Sequence, residues 1–158
     1  MKELPHHLQQ YFVYCAIYPE GSLLFRDDII RMWVAEGFID EQDGQLLKDI
    51  AEEHYDELIY RNLLQPDYLY ADLSQCRVHD LLRRLACCLS KEECFVGDPE
   101  SIGVNIMSKL QRISVFTEKD MVVFPSMDKE QYKVRTWRTQ YGKSLRVDNT
   151  IFRRLPYI

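Results

Sequence analysis

A chain of 158 residues has room for one ordinary core and a short second unit, which excludes a large multidomain enzyme. An apolar share of 46% and a charged share of 28% exclude disordered, collagen-like and coiled-coil classes for the whole chain. The net charge of −5 speaks against a free-standing nucleic-acid binder, yet it averages two unlike blocks: residues 1–100 carry 9 Lys and Arg against 20 Asp and Glu (−11), and residues 101–158 carry 11 against 5 (+6). An acidic block followed by a basic one points to two structural units or two surfaces, with a boundary near residue 100.

Leu8, Tyr11, Phe12, Cys15 and Ala16 recur at helical spacing and predict a first amphipathic helix, with Pro5 suited to its first turn and Pro19 to Gly21 ending it. Arg26 to Glu36 resumes the pattern through Ile29, Ile30, Trp33 and Val34, and Gly37 is placed to stop it. After a polar turn at Asp40 to Gly44, a third helix spans about Leu46 to Arg61. Leu47, Ile50, Ala51, His54 and Leu58 lie on one side of it, and Asp49, Glu52, Glu53, Asp56 and Glu57 on or beside the other.

Leu63 to Tyr70 and Ser74 to Val78 read as a hairpin bent at Ala71 to Leu73, with Pro66 restricting the first strand to an edge. A fourth helix starts near Asp80, with Val78, Leu81, Leu82, Leu85, Ala86 and Leu89 as its expected buried stripe. Three helices, a two-stranded ribbon and a further helix are the order of a winged-helix unit over residues 1–90. Residues 91–108, with Gly97, Pro99 and Gly103, read as a connector. Beyond it, Leu110 to Phe116 and Val134 to Tyr141 are candidate strands, and Leu145 to Ile158 opens a third unit. The step of 21 residues from Ile113 to Val134, and again to Leu155, falls in the 20–29 range of leucine-rich repeats, although the consensus leucines are mostly missing. The expected class is therefore mainly α with small β, with residues 109–158 as an incipient repeat segment.

The five cysteines are odd in number and lack paired zinc-site spacings, which suits a reducing, intracellular compartment. The longest apolar run near the start, Phe12 to Tyr18, is seven residues, whereas a span needs about 20, so no membrane crossing is expected. Phosphate-loop, Gly-x-Ser-x-Gly, His-Glu-x-x-His and dinucleotide signatures are absent, and an enzyme is not expected. His6 and His7 read as polar surface at a helix start, and Cys87 and Cys88 as helix-side filling. Five acids on the third helix against Lys48 and Arg61 argue against direct DNA reading, because phosphate contacts need cations.

Val78, His79 and Asp80 carry more weight. Asp80 is a good N-cap, and the start of a helix presents unpaired N–H groups and positive potential to a phosphate. A histidine there can add one hydrogen bond to an anion, or serve a purely structural role; spacing alone leaves both open.

Four segments, Leu4 to Glu20, Arg26 to Ile39, Tyr55 to Leu64 and Cys76 to Leu81, resemble in order and spacing four motifs of the plant nucleotide-binding (NB-ARC) leucine-rich-repeat immune receptors. Residues 110–158 are similar, more loosely, to the opening of the repeat domain. The resemblance implies a winged helix that closes over ADP held by a preceding ATPase domain, with His79 at the position of the histidine that contacts the β-phosphate. Asp80 supports that motif, and Val78 replaces the usual methionine. Tyr11 stands where cysteine is common, and Gly21 where aspartate often follows. The implied partner is the nucleotide-binding domain of a complete receptor, in cis or in trans. The implied process is a defence response driven by an ADP/ATP switch. One charge-assisted hydrogen bond contributes about 1.5–3 kcal/mol, while millimolar affinity needs about 4 kcal/mol, so this chain alone is not expected to bind ADP.

Overall fold

The computed structural model describes residues 4–40, 44–70, 72–116, 121–122, 133–139 and 146–147. The chain divides into two units, Met1–Leu89 and Ser90–Ile158. The first is mainly helical and the second carries parallel strands.

In the first unit, helix α1 (His6–Tyr14) runs on into a single 3₁₀ turn, Cys15–Ile17. All five predicted apolar positions of this segment are buried. Pro5 sits just before the helix, in extended conformation, with its carbonyl accepting the Leu8 N–H at 2.9 Å. Strand β1 (Leu24–Phe25) then leads directly into α2 (Arg26–Ala35). Two residues are too short to leave a periodic signal, and this strand escapes sequence reading.

Gly37 ends α2 as expected. Its φ of +71° allows its N–H to reach the Val34 carbonyl at 3.1 Å, and the Phe38 N–H to reach Trp33 at 3.2 Å. Helix α3 (Leu47–Tyr60) stops the same way, with Asn62 at φ +58° in glycine's place and the Leu63 N–H returning to Leu58 at 2.9 Å. Both stops turn the chain back onto the core.

That core is aromatic. Tyr11 meets Trp33 edge-on at 5.0 Å between ring centres, Trp33 faces Tyr55 at 6.4 Å, and Phe38 closes on Tyr11 and Tyr14. The Tyr11 hydroxyl donates to the Phe38 carbonyl at 3.0 Å, so the tyrosine at this position is a fully used core residue. Tyr55, outside the predicted apolar stripe of the third helix, is buried and donates to the Leu73 carbonyl at 3.1 Å. Its amphipathic ring hides a core residue from a hydrophobicity count.

Strands β2 (Leu64–Pro66) and β3 (Gln75–Val78) pair antiparallel, and β3 also pairs with β1, giving the order β1-β3-β2. Pro66 therefore lies on an edge strand, as its missing N–H requires. The first strand is shorter than expected: Asp67 to Tyr70 form a turn, and of the expected bend Asp72 and Leu73 are described while Ala71 lies outside the described residues.

Helix α4 (Asp80–Leu89) corrects one expectation. Of its predicted buried stripe only Val78 and Ala86 are buried; Leu81, Leu85 and Leu89 are 70%, 40% and 62% exposed. The helix packs on α1 and the Cys15–Ile17 turn. Arg83 Nε donates to the Tyr18 carbonyl at 2.8 Å, and that bond, with the burial of Ala86, turns the leucine stripe outward.

In the second unit, strands β4 (Cys94–Gly97), β5 (Arg112–Val115) and β7 (Thr136–Thr139) form a parallel sheet in the order β4-β5-β7. Strands β6 (Met121–Val122) and β8 (Arg146–Val147) form a second parallel pair. Between β4 and β5 lie a 3₁₀ turn (Pro99–Ser101) and the short helix α5 (Val104–Met107). The expected connector at 91–108 thus holds structured elements. Its Gly and Pro residues separate short elements, and Ile102 and Met107 are buried with Leu110, Ile113, Val115 and Val134.

All four residues of β5 are buried, as in a central parallel strand covered on both faces. Arg112 is accommodated there by an ion pair of 3.0 Å with Glu93. Phe95, Ile113 and Trp137 stand in register, steps of 18 (95 to 113) and 24 (113 to 137) residues. The expected step of 21 from Ile113 to Val134 is therefore off by three: Val134 is buried beside the sheet but precedes β7. Leu155 and the rest of 148–158 lie outside the described residues, as do Tyr141 and Leu145.

Candidate functional site

The chain brings Val78, His79 and Asp80 to the junction of β3 and α4. Val78 is buried and pairs with Leu64 across the ladder, anchoring the end of the strand; an apolar side chain of valine's size fills that position. His79 follows, exposed to solvent. Its carbonyl accepts the Arg83 N–H at 2.8 Å and its Nδ1 accepts the Leu81 N–H at 3.2 Å.

His79, and not Asp80, is therefore the N-cap of α4, because its side chain reaches the N–H two residues ahead. Asp80 is the first residue inside the helix, where its carboxylate interacts favourably with the helix dipole. Accepting through Nδ1 fixes the neutral ring as the Nε2–H tautomer, assigned from this hydrogen bond. The site then offers an outward imidazole N–H beside those N–H groups of the first turn that the Leu81–His79 bond does not use. Arg84, exposed on the same turn, adds positive charge, and Asp80 opposes it.

Elsewhere in the first unit, the two buried thiols are closed to chemistry. Burial pushes the Cys76 thiol up to about 11, partly offset by its hydrogen bond with Tyr55, and raises Cys15 well above the usual thiol range. Neither thiol is poised as a nucleophile. All five cysteines are without disulfides. Of the other sequence candidates, Cys87 is half-buried and Cys88 exposed on α4; His6 and His7 are exposed at the start of α1, and His7 approaches Glu57 at 3.5 Å.

The acidic face of α3 engages its cations locally: Lys48 pairs with Glu52, Arg61 with Glu57, and Arg26 with Glu52 and Asp56. A duplex phosphate would compete with these carboxylates for every one of those cations. Sequence reasoning missed the role of Arg83 as the clamp of α4, for which its position four residues after His79 was a faint signal. Among the described residues, no helix is long and apolar enough to cross a membrane.

Residues 17–86 match the family described as Disease resistance protein Winged helix domain. The chain is 34% identical over 126 residues to the disease resistance RPP8-like protein 4 of Arabidopsis thaliana, covering 75% of this chain and 14% of that protein. It is 33% identical over 128 residues to the disease resistance protein RPH8A of the same plant, with the same shares of each. The ToMV resistance protein Tm-2(2) of Solanum lycopersicum is 32% identical over 144 residues, 84% of this chain and 16% of that protein. The ToMV susceptible protein tm-2 of tomato matches to the same extent. The chain thus spans about one seventh of the length of the curated relatives it matches.

Proposed function

Because the chain belongs, through residues 17–86, to the disease resistance proteins that carry this winged helix domain, we propose that it supplies the regulatory lobe of a plant immune receptor. The lobe senses nucleotide bound by an ATPase domain outside residues 1–158, and it carries out no reaction of its own. The observation that carries this reading is the geometry of His79: its Nδ1 is spent on capping α4, which fixes the ring and leaves Nε2–H facing outward at a helix N-terminus. A phosphate of ADP presented there would meet an oriented donor and the free N–H groups of one turn.

The mechanism is a population shift. A nucleotide that binds the closed arrangement better than the open one favours closure by its differential affinity, and the Nε2–H bond supplies part of that difference. The near-equal match to the susceptible and the resistant tomato proteins fits this reading, since a shared switch does not choose the pathogen. Parallel strands with one strand per step, the 24-residue step inside the repeat range and the 18-residue step just below it, favour reading the second unit as the opening of a leucine-rich-repeat array in an intracellular receptor.

The test separates the two jobs of His79. In a full-length receptor carrying this region, His79→Asn keeps a capping side chain but withdraws the imidazole Nε2–H, because the shorter amide N–H does not reach as far out; it should release bound ADP faster and favour the open, active state. Retention of ADP equal to the parent would overturn the assignment. For the isolated chain, calorimetry with ADP should give no saturable heat below about millimolar, since one such bond falls short of the 4 kcal/mol that affinity requires.

A second reading rests on α4. Leu81, Leu85 and Leu89 form an uncovered apolar stripe, which suits docking in trans onto another receptor's nucleotide-binding domain as an interaction module. Leu85→Ser should abolish co-purification with such a domain and leave the fold intact; undiminished co-purification would remove this reading.

A further inference from the structure

We propose that His7, His54 and Glu57 form a binding site for a divalent transition-metal ion, Zn²⁺ by the chemistry of its donors, which clamps α1 to α3. Sequence gives no hint of it: the histidines are 47 positions apart (7 to 54) and belong to different helices. Packing of α1 on α3 brings one donor atom from each of the three side chains within 4.8 Å of the others.

His54 and Glu57 are three residues apart on α3 and share a face. Glu57 is held in place by Arg61, whose Nε and Nη2 bind its Oε1 at 2.9 and 2.7 Å. That leaves Oε2 directed at His7 Nε2, 3.5 Å away. The His7 ring stands 5.5 Å from the His54 ring, and the Tyr11 ring lies 4.7 Å from His54. His54 is half-buried between the two helices, and its imidazole is a metal donor in its neutral form.

Tetrahedral zinc with bonds near 2.0–2.1 Å sets its ligands about 3.3 Å apart, so a contraction of at most about 1.5 Å from the 4.8 Å limit completes the geometry. His7 is exposed and free to make it. Two imidazoles and one carboxylate select zinc over magnesium or calcium, which prefer all-oxygen sites, and leave a fourth position to water. The start of α1 and the Arg61 guanidinium oppose a cation here, and the carboxylates of Glu57 and Glu53 offset them.

The experiment uses the full chain stripped with chelator. Titration with Zn²⁺ should show one saturable site of micromolar affinity and a rise of several degrees in melting temperature. His7→Ala, His54→Gln and Glu57→Gln should each weaken binding at least tenfold, and His6→Ala should leave it unchanged. With Co²⁺ as probe, the visible bands should have the intensity of a four-coordinate site without a thiolate charge-transfer band. No saturable binding below about 0.1 mM, equal loss in His6→Ala, or a thiolate band pointing to the cysteines would each overturn the proposal. Glu57→Gln is solvent-accessible and keeps the test valid should His54→Gln fold poorly.

Discussion

The two units bury their residues by different means. The first relies on helices whose stops are local devices and on one aromatic cluster around Trp33; the second relies on strands that pair across 18 and 24 residues. In the first, apolar spacing reports which side of α1, α2 and most of α3 is inside. In the second, the central strand β5 is covered on both faces, so spacing within it reports nothing. The contrast teaches that a helix face can be read from its own residues, while a parallel strand is defined by neighbours that the chain reaches only later.

The largest effects should come from the two cores. Trp33→Ala should destabilise the helical unit by about 3–5 kcal/mol and Ile113→Ala the stranded unit by about 2–5 kcal/mol, read from urea unfolding. A Trp33→Ala loss below about 1 kcal/mol would show that the aromatic cluster does not organise its unit. Next come the helix stops. Gly37→Ala places a Cβ at φ +71° and should cost about 1–2 kcal/mol, whereas Asn62→Gly at φ +58° should shift stability by a few tenths. Equal effects at the two sites would mean that the φ angles do not govern these turns.

The cap at the β3–α4 junction is smaller. His79→Ala should lower stability by about 0.5–2 kcal/mol, and His79→Asn by much less, in thermal melts of this chain. The smallest effect is a pH dependence in metal-free buffer. Burial and His7 lower the His54 pKa below its usual 6.5, so the folded state takes up this proton less readily than the unfolded state. The stability it contributes is present above about pH 6.5 and falls as the pH drops through the lowered value. The urea midpoint should therefore decrease from pH 7.5 to 5.5, and His54→Gln should flatten that decrease.

Much of the first unit is legible in sequence because its signals are local. Gly37 needs only its own φ to end a helix, and Pro66 needs only its missing N–H to choose an edge. The site is legible in part: His79 is where its neighbours put it, at the end of a strand and the start of a helix. That it caps the helix in place of Asp80 is a matter of which side chain bends back, and spacing does not record that.

What the sequence determined by itself is the order of the four helices and the hairpin of the first unit, the faces of α1, α2 and most of α3, and the family to which residues 17–86 belong, because each rests on short-range periodicity or ordered motifs. Only the tertiary structure decided that the leucines of α4 face outward, that 91–108 folds into the second unit, and that His7 meets His54 and Glu57. Each of these depends on which surfaces of distant segments come together. A helix carries its apolar stripe wherever it goes, but the surface it meets belongs to another part of the chain.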